Sequence, residues 1–116
     1  RIADAETDLH AARSMVRHAA RELDNSDARI EVAMSKTFTA NVTNEIMDLA
    51  VQCLGGHGIS KDLPVAHFYE SVRPFRIVDG ADEVHRRTIA RNAFEDVYDE
   101  DLENVVRFDD ELDKTE

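Results

Sequence analysis

The four glycines of the chain fall in two places: three in QCLGGHGISKDLP, residues 52–64, and one in RIVDGADEVHR, residues 76–86. Bare backbone allows positive φ and close approach of another group, so each stretch is a turn, a ligand contact, or both. The first lacks the Gly-Lys-Ser/Thr of a P-loop and follows no strand. Taken alone, it is a helix C-cap with a tight turn. In the second, Asp79 has two roles open to it. It can cap a following helix, with Asp82 and Glu83 on the positive end of the dipole, or it can act as a general base. Five histidines invite a metal, but His10 and His18 are two helical turns apart without a third ligand. His57, His67 and His85 follow no ligand spacing, and no H-E-x-x-H occurs, so no metal is expected.

The elements that must position these residues are helical. Ile2, Ala5, Leu9, Ala12, Val16, Ala19 and Leu23 step by three and four, one continuous stripe. DNSD, residues 24–27, breaks the pattern and offers capping side chains to a second helix over 28–54. Its stripe is Ile30, Met34, Phe38, Val42, Ile46, Leu49 and Cys53, and Gly55 or Gly56 ends it. VAHFYESV after Pro64 suits a short helix, interrupted at Arg73-Pro74-Phe75 because residues before proline avoid the α region. A last helix opens just after Gly80 and reaches at least Val97, with continuation through Val105 open. No alternation is long enough for a strand. The fold class is all-α, an antiparallel helical bundle over residues 1–98, followed by an acidic tail, 99–116, whose end is frayed. The wide apolar stripes predict an exposed groove that a further helix or a second subunit fills.

Composition narrows the function. Twenty-five acidic residues against 14 basic ones leave a net charge of −11, and only Lys36, Lys61 and Lys114 are lysines. That balance argues against nucleic acid and against anionic membrane surfaces. It fits either an ordinary acidic surface or halophilic adaptation to a salty cytoplasm, where screening removes most self-repulsion. Cys53 is alone, so a reducing, cytoplasmic compartment is the default, with the thiol expected to be buried and structural. No apolar run approaches the roughly 20 residues of a membrane span. The start at Arg1 suggests a piece of a longer chain.

The stretch AVQCLGGHGISKDLPVAHFYESVRPFRIVDGADEVHRRTIAR, residues 50–91, resembles the C-terminal helical domain of the acyl-CoA dehydrogenase family. That family has a helix ending in Gln-x-x-Gly-Gly-x-Gly, a turn, an Ile-Tyr-Glu-Gly-Thr segment and a last helix that opens Glu-Ile-x-Arg and closes Ile-Ala-Arg. MSKTFTANVTNEIMDLA and AARELD extend the likeness upstream, to about residues 1–95 in all. The resemblance implies a bundle lacking its first helix, together with the missing N-terminal helical and middle β domains. By position, Gln52, Gly55 and Gly56 match residues near a flavin nucleotide (FAD) held mainly by a neighbouring subunit. Asp79 matches the catalytic glutamate, and Gly80 the glycine whose N–H binds the substrate thioester oxygen.

The implied reaction is α,β-dehydrogenation of an acyl-CoA, with an electron-transfer flavoprotein as electron acceptor and a homo-oligomer as the working assembly. Alone, the 116 residues are expected to be colourless and inactive. Asp79 stands where most members have Glu, a carboxylate about 1.5 Å shorter in reach. Val78, Ala81 and Glu70 replace the usual Tyr, Thr and a frequent Arg. DGADEVH resembles a subgroup with Asp at this place, whose members look like dehydrogenases of unusual or longer acyl chains. Asp is also the base in the related nitroalkane oxidase. Two other readings therefore stay open: a flavin oxidase of the same superfamily, and a non-catalytic helical oligomerisation module in which Asp79 only caps.

Overall fold

Helical periodicity in the first half of the chain becomes two long helices, and the second half packs back onto the second of them. The computed structural model describes the backbone of residues 1–105 and the side chains of residues 1–95. Helix α1 spans Ile2–Leu23, α2 Arg29–Leu54, α3 Val65–Val72 and α4 Asp82–Val105, with short 3₁₀ turns at Gly55–Ile59 and Arg73–Arg76. No strand occurs among the described residues. The chain is the all-α helical bundle expected, and α1 spans the predicted residues. Helix α4 continues without a break past residue 98, where the acidic tail was placed; residues 106–116 lie outside the described part.

Local chemistry explains the breaks. Ser26 Oγ accepts from Ala28 N at 3.1 Å, and Asp27 Oδ1 accepts from Arg29 N at 3.4 Å, so the DNSD segment does meet a free N–H at the start of α2. The cap position itself is Ala28, buried and in the left-handed region at φ 44°, and α2 begins one residue later than expected. At the other end Gly55 takes φ 56°, outside the α region, and its N–H bonds to Gln52 O.

Helix α2 is the axle: α1, α3, α4 and both 3₁₀ turns pack on it. The core is unusual in its residue sizes. Its buried apolar side chains are Ala12, Ala19, Ala28, Ala33, Ala40 and Val42. Small residues let α1 and α2 approach closely, but they bury little apolar area. Several larger members of the predicted stripes are uncovered instead: Ile2, Val16 and Leu23 on α1, Met34 on α2, Val84 and Phe94 on α4, while Leu9, Ile30, Phe38, Ile46 and Leu49 are half-buried. Cys53, expected to be buried, is exposed as well, because its face of α2 has no neighbour near the helix end. Between α1 and α2 lies a hollow of about 170 Å³, lined by Ala5, Val42, Ile46 and Leu49 together with Arg1, Asp4, Asp8 and Glu45. No helix among the described residues is long and apolar enough to cross a membrane.

Candidate active-site turn

One carboxylate organises the chain around Gly80, and it is not Asp79. Asp82, the first residue of α4, has its side chain only 1% exposed. Asn41 Nδ2 donates to its Oδ2 at 2.9 Å, and Arg76 Nε donates to the same oxygen at 3.0 Å. Arg86, one turn along α4, stands 3.8 Å from Oδ2, and Lys36 Nζ 3.9 Å from Oδ1. Burial pushes the Asp82 carboxyl up, but the hydrogen bonds from Asn41 and Arg76 and the charges of Arg86 and Arg76 outweigh it. The group is held below its ordinary value. Asp82 Oδ1 accepts no hydrogen bond: Lys36 Nζ, at 3.9 Å, is too far, and donates to Gly80 O. Lys36 and Asn41 of α2, Arg76 of the second 3₁₀ turn, and Asp82 and Arg86 of α4 thus converge on one point.

That convergence holds a turn of two consecutive positive-φ residues, Asp79 at 54° and Gly80 at 90°. Asp is among the few non-glycine residues that enter the left-handed region readily. Both carbonyls of the turn are engaged. Lys36 holds Gly80 O, and His85 Nε2 lies 3.1 Å from Asp79 O. A Cβ at position 80 would sit 2.7 Å from that same Nε2, and at φ 90° any side chain there is strained whatever the imidazole does. The remaining polar groups of the turn are free. The Asp79 carboxylate is on an exposed residue and makes no hydrogen bond or ion pair among the described residues, and it does not cap α4. The Gly80 N–H likewise has no acceptor there.

The other glycine stretch is built differently. Gly58 is buried against α2, and a Cβ there would meet Val51 O at 2.5 Å and Val51 Cα at 2.9 Å. Gly55 and Gly56 face the opposite situation, with nothing within 4 Å of a Cβ at either. Gln52 is exposed beside them. Along α2, Gln52 lies 16 residues beyond Lys36, about 24 Å at 1.5 Å per residue. The structure therefore brings Asp79 together with Gly80, and Gln52 with Gly55 and Gly56, but keeps the two groups apart.

The sequence model described as "Acyl-CoA dehydrogenase, C-terminal domain" matches residues 1–94. The chain belongs to the acyl-CoA dehydrogenase family. It is 39% identical over 98 residues to the mitochondrial isobutyryl-CoA dehydrogenase of Dictyostelium discoideum, covering 83% of this chain and 24% of that protein. Among solved structures, a Mycobacterium abscessus protein assigned as an acyl-CoA dehydrogenase superposes with a TM-score of 0.80 at 37% identity, over 84% of this chain and 25% of the other. A chain from a structure of the electron transferring flavoprotein of Acidaminococcus fermentans superposes with a TM-score of 0.73 at 31% identity, over 78% and 24%. The chain thus spans about a quarter of each of these three relatives.

In this acyl-CoA dehydrogenase domain the exposed end of α2 fits the approach of a flavin nucleotide. Its glycines have open space where side chains would stand, and the Gln52 amide offers both a donor and an acceptor. No group of three or more His, Cys, Asp or Glu side chains is placed to hold a metal ion among the described residues. Sequence reasoning missed Lys36, Asn41, Arg76 and His85, and took Asp82 for a mere dipole partner. The one local signal was the pair of an arginine and an aspartate flanking a glycine turn, Arg76 and Asp82. The contacts of Lys36 and Asn41 span more than 40 residues of sequence and left no local trace.

Proposed function

We propose that the chain is the C-terminal part of a flavin-dependent acyl-CoA dehydrogenase in which Asp79 is the base and Gly80 the oxyanion donor. The observation that carries this reading is the turn itself: a carboxylate without a partner beside a backbone N–H without an acceptor, on a backbone whose two carbonyls are both engaged. A turn that served only to start α4 would use its polar groups for capping.

In the reaction, the Gly80 N–H donates to the thioester oxygen and stabilises the negative charge that develops there. That polarisation acidifies the α carbon, and the Asp79 carboxylate takes its proton. As the α C–H pair forms the new double bond, the β hydrogen departs with its electrons; bound flavin supplies the acceptor for that hydride. Asp79 is exposed in this chain, so the domains beside it must exclude water for its carboxylate to be basic enough. Asp is about 1.5 Å shorter than the usual Glu, so the thioester has to sit correspondingly closer to the turn. Gln52, Gly55 and Gly56, remote from Asp79, would contact the FAD of a neighbouring subunit in a homo-oligomer. An electron-transfer flavoprotein would receive the electrons, and the 116 residues alone would be colourless and inactive.

The test uses the complete gene product in high salt: a visible spectrum, then anaerobic titration with acyl-CoA thioesters of graded length. A flavin band that one of them bleaches supports the dehydrogenase. A flavin that no thioester reduces points to the oxidase branch, and a colourless product to a helical assembly module.

A further inference from the structure

Two side chains hold the carbonyls of the Asp79–Gly80 turn, and of the two only Lys36 comes from outside α4. His85 sits on the helix that the turn itself starts. Lys36 sits on α2 and donates to Gly80 O across 44 residues of sequence. That bond has an alternative which the chain forgoes. Lys36 Nζ stands 3.9 Å from Asp82 Oδ1, beyond hydrogen-bond reach, and that buried oxygen has no donor among the described residues. Between a carboxylate oxygen and a neutral carbonyl, Coulomb attraction favours the carboxylate. Native structures rarely leave a buried polar atom of this kind unpaired. The ammonium is nevertheless given to the turn.

We infer that Lys36 is a positioning residue for the base: its ammonium, carried by α2, clamps the Gly80 carbonyl and so fixes the direction in which the Asp79 carboxylate is presented. This rests on the reading of Asp79 as the base. The Asp79 carboxylate makes no hydrogen bond or ion pair among the described residues, so the backbone that carries it sets its direction. Asp79 and Gly80 both have positive φ. Glycine populates either sign of φ, so Gly80 is the point at which the turn relaxes most easily. A rotation there carries the Gly80 carbonyl with it, and the clamp on that carbonyl opposes it. Lys36 itself has little room to drift. Farther along the same helix, Asn41 Nδ2 donates to Asp82 Oδ2 at 2.9 Å and holds α2 against the start of α4.

The experiment is a double-mutant cycle on the full-length flavoprotein. It reads the rate of flavin reduction at saturating concentration of the acyl-CoA that reduces the parent fastest. Lys36→Met keeps the straight side chain and removes the ammonium. It should slow flavin reduction about 10–100-fold, the effect of misplacing a catalytic group, while the dissociation constant of the thioester moves little. Asp79→Asn removes the base and leaves the backbone. In that background Lys36→Met should slow the residual rate by less than about threefold, because groups that act as one unit are not additive. A merely structural lysine would lower both rates by the same factor, or destabilise the fold and leave both rates alone. Either result, in a parent that thioester reduces, overturns the role of Lys36 and leaves the dehydrogenase standing. Lys36→Gln keeps an N–H but falls one bond short of the carbonyl, so it serves with the same expectations if Lys36→Met fails to fold. A parent flavoprotein that no thioester reduces, or an Asp79→Asn variant reduced as fast as the parent, overturns the reading of Asp79 as the base and this inference with it.

Discussion

The two glycine turns of this chain solve opposite problems. At 55–58 the backbone does the work by itself: Gly55 leaves the helix, Gly58 lets the 3₁₀ turn lie on Val51, and among the described residues no side-chain hydrogen bond from another helix reaches it. At Asp79–Gly80 the backbone is strained and nearly everything that holds it is a polar side chain from elsewhere: Lys36, Asn41, Arg76, Asp82, His85 and Arg86. A turn that only has to be approached can be stripped bare. A turn that must present one carboxylate and one N–H in a set direction has to be pinned, because its own φ values favour relaxation.

The sharpest way to test that contrast is to remove the chemistry and leave the pins. Asp79→Asn in the full-length protein should lower the rate of flavin reduction by thioester about 10²–10⁴-fold, the contribution of a positioned base. Asn tolerates the left-handed conformation as well as Asp does. With no partner lost, the melting temperature should stay put. A variant that loses stability but keeps its rate would return Asp79 to a structural role.

Removing the pins is the converse. Asp82→Ala leaves three cations around an empty place; because all three keep some solvent, the expected loss is about 2–3 kcal/mol in a urea titration, the lower side of breaking a buried ion pair. The same group sets an acid limit. Its folded pKa is depressed, so its contribution is complete above the unfolded value of about 3.9 and disappears as pH falls through the folded one. Stability should drop below about pH 4 in the parent, and that part of the drop should be absent in Asp82→Ala. Equal acid sensitivity in the two would mean that another carboxylate carries it.

How much of this the sequence disclosed follows from the range of each interaction. Helix positions depend on neighbours three and four apart, so α1 and α3 were legible to the residue, and α2 to within one. The glycine stop of α2 was equally local. The break at Pro74 came by another route than expected: Arg73 keeps helical angles, φ −57° and ψ −41°, and the chain tightens into a 3₁₀ turn instead of leaving the α region. Burial was not local. The stripe through Met34 and Cys53 marks a helix face that needs a partner, and periodicity cannot say whether that partner is in the same chain. Asp79 and Gly80 stood out through their types and the family resemblance. Their supports did not, because Lys36 meets Gly80 and Asn41 meets Asp82 only after α2 and α4 have packed.

Within the first turn the glycines differ enough to be told apart. Gly58→Ala drives a methyl into main-chain atoms of Val51, at 2.5 and 2.9 Å, which cannot swing aside as a side-chain tip would. The turn must lift off α2, at about 1–3 kcal/mol, the usual range for overpacking. A thermal melt that barely moves would show that the turn is not seated on the helix.

Gly56→Ala gives the smallest effect on stability and the most pointed one on function. Gly56 is not at positive φ, and an added methyl meets no atom within 4 Å. Folding stability should therefore hold, or rise by up to about 1 kcal/mol, because alanine restricts the unfolded chain. If the bare surface exists so that a flavin nucleotide can come close, that harmless methyl should still weaken flavin retention in the assembled protein, read as cofactor lost on dilution. Unchanged stability with unchanged retention would mean that Gly56 is a vacancy without a tenant, and the contrast between an approached turn and a pinned one would then rest on Gly55 and Gln52 alone.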